Sequence, residues 1–475
     1  MVRRPTLPAP EGLNLQRRTP LLDLDIAVVT PLFGGGTDPR VPDHDRPVTG
    51  KAVRGHLRFW WRACNANRYS SSRKLFEAER AIWGSIGESN EDQVPSPVDV
   101  SVKVEDSGTE IECVTWERRG KPRSDGRSPW RPEWGSYPGY GLFPFQGEPE
   151  HDQEPRMWKT RPAKALEGVR FKLRISRASF PDVRSEPSLE RGIEDALWAW
   201  LMFGGIGART RRGCGSLHCE KAMLRGCKDV TTRFVAHQAP PADAHPEQWK
   251  NAGPLWLNSV DHVGVGARTL LVPVLSGATI VVGGVMNDAI GAWTTAVSLM
   301  RDFRQKPGLA RQDRGESRPG QSFWPEADSI RDQWEDLDPK HKPIHKQLPS
   351  YPRTDLGLPI GMQQLGTWPF PVLEAAGDGA TRMASPVILK ALPLPGRGFV
   401  PIVVLLNAPN VWDQDAPRVV LKHRQKVVRL HKSVLTAGAK PLQPDPDGRF
   451  AQGQTIRKAF LEFATDELSA TEVVL

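Results

Sequence analysis

GKAVRGHLRFWWR, residues Gly50 to Arg62, sorts its cations from its apolar side chains on a helical period. At about 100° per residue, Lys51, Arg54, Arg58 and Arg62 fall within an arc of roughly 80°, and Val53, Leu57, Trp60 and Cys64 lie on the opposite side. One face of this helix is built for a core. The other carries a basic stripe roughly 16 Å long at 1.5 Å per residue. That stripe is either the solvated face of an ordinary packed helix or a surface for a chain of phosphates, since its length exceeds the need of one small anion.

Reading outward, Leu21 to Thr30 (LLDLDIAVVT) alternates as a half-buried strand, with Leu22, Leu24, Ile26 and Val28 on one side. Gly34-Gly35-Gly36 through Pro47 is a turn, and Thr49 is placed to cap the basic helix, which runs to about Asn65. A second helix is expected over Arg73 to Trp83. Val98 to Val104 alternates again, with Thr109 to Thr115 as a hairpin partner across Asp106-Ser107-Gly108. The many Trp, Pro and Gly residues between Glu117 and Pro162 mark an insertion. A strand over Val169 to Ser176, a helix over Leu189 to Phe203 and a strand near Ser216 complete an order β, α, β, β, α, β. That order suits a ferredoxin-like (RRM-like) unit, an antiparallel sheet backed by helices, and the fold class expected is α+β.

A chain of 475 residues is too long for one ordinary core. The loop-like composition from Thr231 to Pro254 separates an N-terminal domain, 1–230, from a C-terminal one, 255–475. The second contains strands at Leu270 to Leu275, Ala384 to Ala391 and Val400 to Leu406, and helices at about Val285 to Arg304 and Ile456 to Ala464. It is expected to be another ferredoxin-like unit, interrupted by a basic stretch at about 305–352. Gly205 to Thr210 (GIGART) and Gly264 to Thr269 (GVGART) are similar enough to suggest a duplicated loop.

Lys and Arg outnumber Asp and Glu by 64 to 55, a formal +9, which favours a polyanionic partner without identifying one. Five cysteines without paired CxxC spacing argue for a reducing compartment and against a disulfide scaffold. No apolar run approaches 18 residues and no secretory h-region follows the early arginines, so a cytoplasmic protein is expected.

The strongest ligand-binding signal after the basic helix is GGIGARTRRGCGSL, Gly204 to Leu217. Its glycines let a backbone approach a ligand closely, and Arg209, Arg211 and Arg212 offer planar, permanently charged forks for phosphate. It lacks the Walker lysine pattern, which argues against nucleotide hydrolysis. Arg418 to Lys432 holds six further cations without one acid, as a nucleic-acid surface or a solvated face. Catalytic constellations are thin. Asp43-His44-Asp45 reads as a polar turn before it reads as a base with an orienting carboxylate. Pro343 disfavours the helix that would aim His341 and His345 at one metal, and Cys214, Cys219 and Cys227 lack ligand spacing. His56, on the flank of the basic helix, is a packing or RNA-contact residue. No catalytic residue, metal site or cofactor is assigned.

The strand ending Thr30-Pro31-Leu32-Phe33-Gly34-Gly35, the helix RGHLRFWWRA from Arg54 to Ala63, Glu79 to Ser85 and the loop GGIGARTRRGCGSL together resemble the RAMP superfamily. Within it they are most similar to the subunit-one proteins of type III-B CRISPR (Cmr) effector complexes. SFWPEADSIR (Ser322 to Arg331), LGLPI (Leu356 to Ile360) and RMASPVILK (Arg382 to Lys390) extend the resemblance in order along the chain. It implies two ferredoxin-like units and a non-catalytic subunit that holds the 3′ region of the guide RNA, the complementary target RNA, or both. It also implies partnership with other Cmr RAMP subunits, and no membrane. Target cleavage and cyclic oligoadenylate synthesis belong to other subunits in that family. The residues expected on RNA are Lys51, Arg54, Arg58, Arg62, Trp61, Gly205, Gly207, Arg209, Arg211 and Arg212. Two other readings remain open: a guide-processing endoribonuclease using His44 or His56, and a protein-only capping subunit docking through the Trp-rich insertion.

Overall fold

The structure, a computed structural model, describes residues 19–86, 93–118, 130–150, 158–177, 187–219, 222–224, 270–305, 324–334, 349–362, 365, 369–377, 381–394, 398–413, 418–431 and 455–474. The expected domain boundary, the GVGART copy, His341 and His345 all lie outside these residues, as does most of 305–352.

In the first half β1 (Thr19–Val28) leads to α1 (Gly50–Asn65) and α2 (Ser72–Trp83). Then come β2 (Val98–Asp106), β3 (Arg170–Arg177), α3 (Pro187–Phe203), β4 (Leu217–His218) and β5 (Ala222–Leu224). The sheet is antiparallel in the order β4-β1-β3-β2, with β5 also on β1, so a βαββαβ unit is present. Period-two alternation does what it promised: Leu22, Leu24, Ile26 and Val28 are buried, while Asp23 lies on the other face and pairs with Arg174 across the sheet at 2.9 Å. Thr49 caps α1, its side chain accepting from the Ala52 N–H at 3.2 Å.

One expectation fails here. Thr109–Glu112 does not form a hairpin with β2; it pairs with Lys164–Glu167, which also takes Leu32–Phe33, in a separate three-stranded sheet. The physical reason is the turn: Gly108 sits at φ +73° against the Glu167 carbonyl and carries the chain out of the main sheet.

The second half begins with β6 (Val274–Val282) and α4 (Ala289–Gln305). An inserted part follows, α5 (Glu326–Gln333), β7 (Ile360–Gly361) and β8 (Val372–Ala376), before the main sheet resumes with β9 (Val387–Leu394) and β10 (Gly398–Asn407). A hairpin of β11 (Arg418–His423) and β12 (Lys426–Arg429) precedes α6 (Ile456–Leu468) and β13 (Thr471–Val474). The main sheet runs β9-β10-β6-β13, the same order as the first sheet read from its other edge. The insertions pair with each other as a second antiparallel sheet, β7-β8-β11-β12, over a small core of Ile330, Trp334, Tyr351, Leu373, Val419 and Leu421.

The two units do not keep separate cores. Ile280, Ile388, Leu392, Ile402 and Val404 on one face of the second sheet join the core of the first unit. Val281, Val387, Leu389 and Val403 on the other face pack with the unit's own helices α4 and α6. A sheet buried on both faces explains why β9 and β10 read as nearly unbroken apolar runs. No described helix is long and apolar enough to cross a membrane.

Candidate nucleic-acid interface

The basic face of α1 is partly spent on holding the fold. Arg54 donates to the Val98 carbonyl at 2.7 Å and to the Trp83 carbonyl at 3.3 Å, tying α1 to the start of β2 and the end of α2. Burial lowers its pKa, an effect that nearby Asp99 opposes. Arg58 and Arg62 donate to one oxygen of Glu79, at 2.6 and 2.7 Å, and Glu79 is only 3% exposed. Two guanidiniums therefore share one carboxylate, which leaves net positive charge on a surface where both remain about a third exposed. Lys51 is exposed.

Trp61 must be corrected. It is 2% exposed and packs against Tyr69, so neither of its ring faces is open to a base; Trp60 is core as well. Their burial follows from the width of the apolar face, which extends past Leu57 to Trp61 and reaches the edge of the basic stripe.

The glycine-arginine loop is the seam between the two halves. Thr30 and Ser216 close it onto the end of β1 through the Gly213 carbonyl, the Thr30 hydroxyl donating at 2.6 Å. Ala208 N–H donates to the Phe33 carbonyl and Ile206 N–H to that of Gly215. Gly205 is buried in this turn, while Gly207 is exposed. Gly215 has φ +63°, and a Cβ there would sit 1.9 Å from the Ile206 oxygen, so glycine is obligatory.

Each arginine of the loop is satisfied by main-chain carbonyls. Arg209, itself left-handed at φ 57°, donates to Gly141 at 2.6 Å. Arg211 donates to the Ser385 carbonyl and Arg212 to that of Val387, both at the edge of the second unit. The Trp293 indole of α4 in turn donates to the Arg212 carbonyl. Among the described residues no carboxylate pairs with these three guanidiniums. Burial lowers the pKa of all three, pushing Arg212 to about 10, and all remain cationic at neutral pH. Hydrogen bonds to neutral oxygens fix the side chains without cancelling their charge.

Beside the seam lies a half-open pocket of about 150 Å³ lined by His56, Phe59, Phe203, Thr210, Arg211 and Ile388, among others. The Arg211 guanidinium lies over the Phe59 ring, 5.4 Å from its centroid. His56 stacks on Trp200 with the ring planes 20° apart, and burial holds its pKa below the usual histidine range. Phe59 carried no signal in the sequence beyond its place in the helix. Elsewhere His44 sits 2.8 Å from Glu110, whose other oxygen takes Lys164; these two hydrogen bonds hold the Glu110 carboxyl below its ordinary pKa. Arg418 to Arg429 is the β11–β12 hairpin, with Val419 and Leu421 turned into the small core. No cluster of three His, Cys, Asp or Glu fit for a metal occurs among the described residues.

Residues 25–218, which hold most of the first sheet, α1 and the seam loop, match the model of the RAMP superfamily. It is similar to the CRISPR system Cmr subunit Cmr1-2 of Pyrococcus furiosus, 28% identical over 207 residues that make up 42% of this chain and 95% of that one. Among solved structures, apo Cmr1 of Pyrococcus furiosus superposes with a TM-score of 0.46 at 13% identity, covering 95% of this chain and 98% of that one. A chain of the type III-B Cmr-beta complex bound to cognate target RNA gives 0.43 at 12%, covering 82% of this chain and 95% of that one.

Proposed function

We propose that the chain is a subunit of a type III-B Cmr ribonucleoprotein and that it holds RNA along the seam and the adjoining edge of α1 without cutting it. The similarity to a Cmr subunit supports the assembly. The observation that carries the RNA role is the uncompensated charge of Arg209, Arg211 and Arg212, each fixed by a neutral carbonyl. Rigid cations with an undiminished field bind a sugar-phosphate chain without reading its sequence. That suits a complex in which guide and target recognise each other by base pairing. Lys51, Arg58 and Arg62 extend this surface, whereas Arg54, Trp61 and Gly205 act by holding its shape. Guide RNA, complementary target RNA and neighbouring RAMP subunits are the partners of this reading, and the cytoplasm is its compartment.

The test is a double Arg209→Gln, Arg211→Gln variant, which keeps a donor toward each carbonyl and removes two charges. For single-stranded RNA each lost phosphate contact lowers the slope of log K against log salt by ~0.7, so a drop of about 1.4 is expected. An unchanged slope at unchanged thermal stability would favour a protein-only capping role. Repeat-RNA cleavage lost on substituting His44 or His56 would instead establish a nuclease.

A further inference from the structure

Gly55 is hard to explain as a packing residue. It is exposed in the middle of α1, a Cβ there would meet nothing within 4 Å, and glycine costs a helix interior about 1 kcal/mol relative to alanine. Its position gives it meaning. Counting from Lys51 at about 100° per residue, Arg62 falls near 20°, Gly55 near 40° and Phe59 near 80°. Gly55 is thus a gap in the side-chain cover between the basic stripe and the mouth of the pocket that Phe59 lines.

We propose that this pocket receives one unstacked pyrimidine base of the bound RNA, its backbone crossing the helix at Gly55 while the adjacent phosphates lie on Arg58 and Arg62. The proposal rests on the RNA-holding role above and names a subsite within it. Size selects the ring: about 150 Å³ matches a cavity that takes a single benzene ring, so it suits a six-membered base better than a fused purine. The lining offers a platform of the kind unstacked bases use: Arg211 lies over one face of Phe59, and the base stacks on the outer plane of that guanidinium. Polar groups are available for the edge of the base. His56 and the Thr210 hydroxyl both line the pocket, and neither side chain hydrogen-bonds to a described residue. Burial keeps His56 neutral, so it offers one N–H and one lone pair, a set that uracil and cytosine can each complement.

Gly55→Leu tests the path without threatening the fold, because the position is exposed and leucine is the better helix former. The full chain is titrated with fluorescent oligo(U) and oligo(A) of equal length over a salt series. Oligo(U) should bind roughly fivefold or more tightly than oligo(A), the low end of the stacking contribution of one base. Gly55→Leu should abolish that preference and leave the salt slope in place, and Thr210→Val should weaken it. Equal affinity of the parent for both oligomers, or a preference that survives Gly55→Leu, would overturn the pocket while the salt-dependent binding upholds the RNA-holding role. Failure of both oligomers to bind in a salt-dependent way would overturn the two together.

Discussion

Replacing Lys390 by methionine should stabilise the protein at neutral pH and destabilise it in alkali. Lys390 is fully buried on the face of β9 that packs against the first unit, and its ammonium donates to the Leu201 carbonyl at the end of α3 at 2.7 Å. Burial pushes its pKa from 10.5 to about 7. At about 1.36 kcal/mol per unit, that shift penalises the folded state by about 5 kcal/mol at low pH, where the lysine is charged whether folded or not. Between pH 7 and 10.5 the unfolded chain binds more protons than the folded one, so this penalty fades and stability rises with pH. Methionine removes the penalty but leaves the Leu201 carbonyl unpaired, at about 1–3 kcal/mol. The variant should therefore gain on the order of 2 kcal/mol at pH 7 and lose about 1–3 kcal/mol above pH 10. Urea titrations of parent and variant, taken as a difference at each pH, cancel the other titrating groups. A difference that stays constant from pH 7 to pH 10 refutes the reasoning.

Two further outcomes test the first unit. Glu79→Gln removes the carboxylate shared by Arg58 and Arg62; since both guanidiniums can reach solvent, the loss should be about 2 kcal/mol, below the 3–5 of a wholly buried pair. The same variant should steepen the salt dependence of RNA binding by freeing two cations, which fluorescence anisotropy reads directly. Gly215→Ala combines a left-handed φ with a Cβ driven into the Ile206 carbonyl, and a loss above ~3 kcal/mol is expected in thermal denaturation.

How much of this was written in the chain can be judged element by element. The 2.0 and 3.6 periods of β1, α1 and α3 mark half-buried elements, and the βαββαβ order follows from them. Periodicity is weaker for β6, expected at Leu270 to Leu275 and found at Val274–Val282, because a strand buried on both sides has no alternation to locate its ends. The terminal strand β13 went unread, since four residues after a helix carry no pattern. The sheet β7-β8-β11-β12 was hidden because its strands come from two insertions far apart in sequence, and RVVLKHRQKVVR was legible only as a basic run. Residue types at the interface were visible, but their partners were not. Arg211 and Arg212 meet carbonyls more than 170 residues away, and a carbonyl has no identity in sequence.

That invisibility matters because the partner decides what an arginine does. Arg58 and Arg62 end on a carboxylate, so part of their charge is cancelled, and both stay about a third exposed. Arg209, Arg211 and Arg212 end on carbonyls, which hold them without cancelling their charge, and burial lowers the pKa of all three. A fold that needed these side chains only as struts could have used neutral donors or supplied carboxylates. Glutamine would reach a carbonyl, and a carboxylate opposite each arginine would recover the desolvation energy. On the RNA-holding role proposed above, a polyanion laid along the seam would offset the mutual repulsion of these three cations. That role therefore predicts that added RNA stiffens the junction of the two units, read as a rise in melting temperature that Arg209→Gln with Arg211→Gln diminishes.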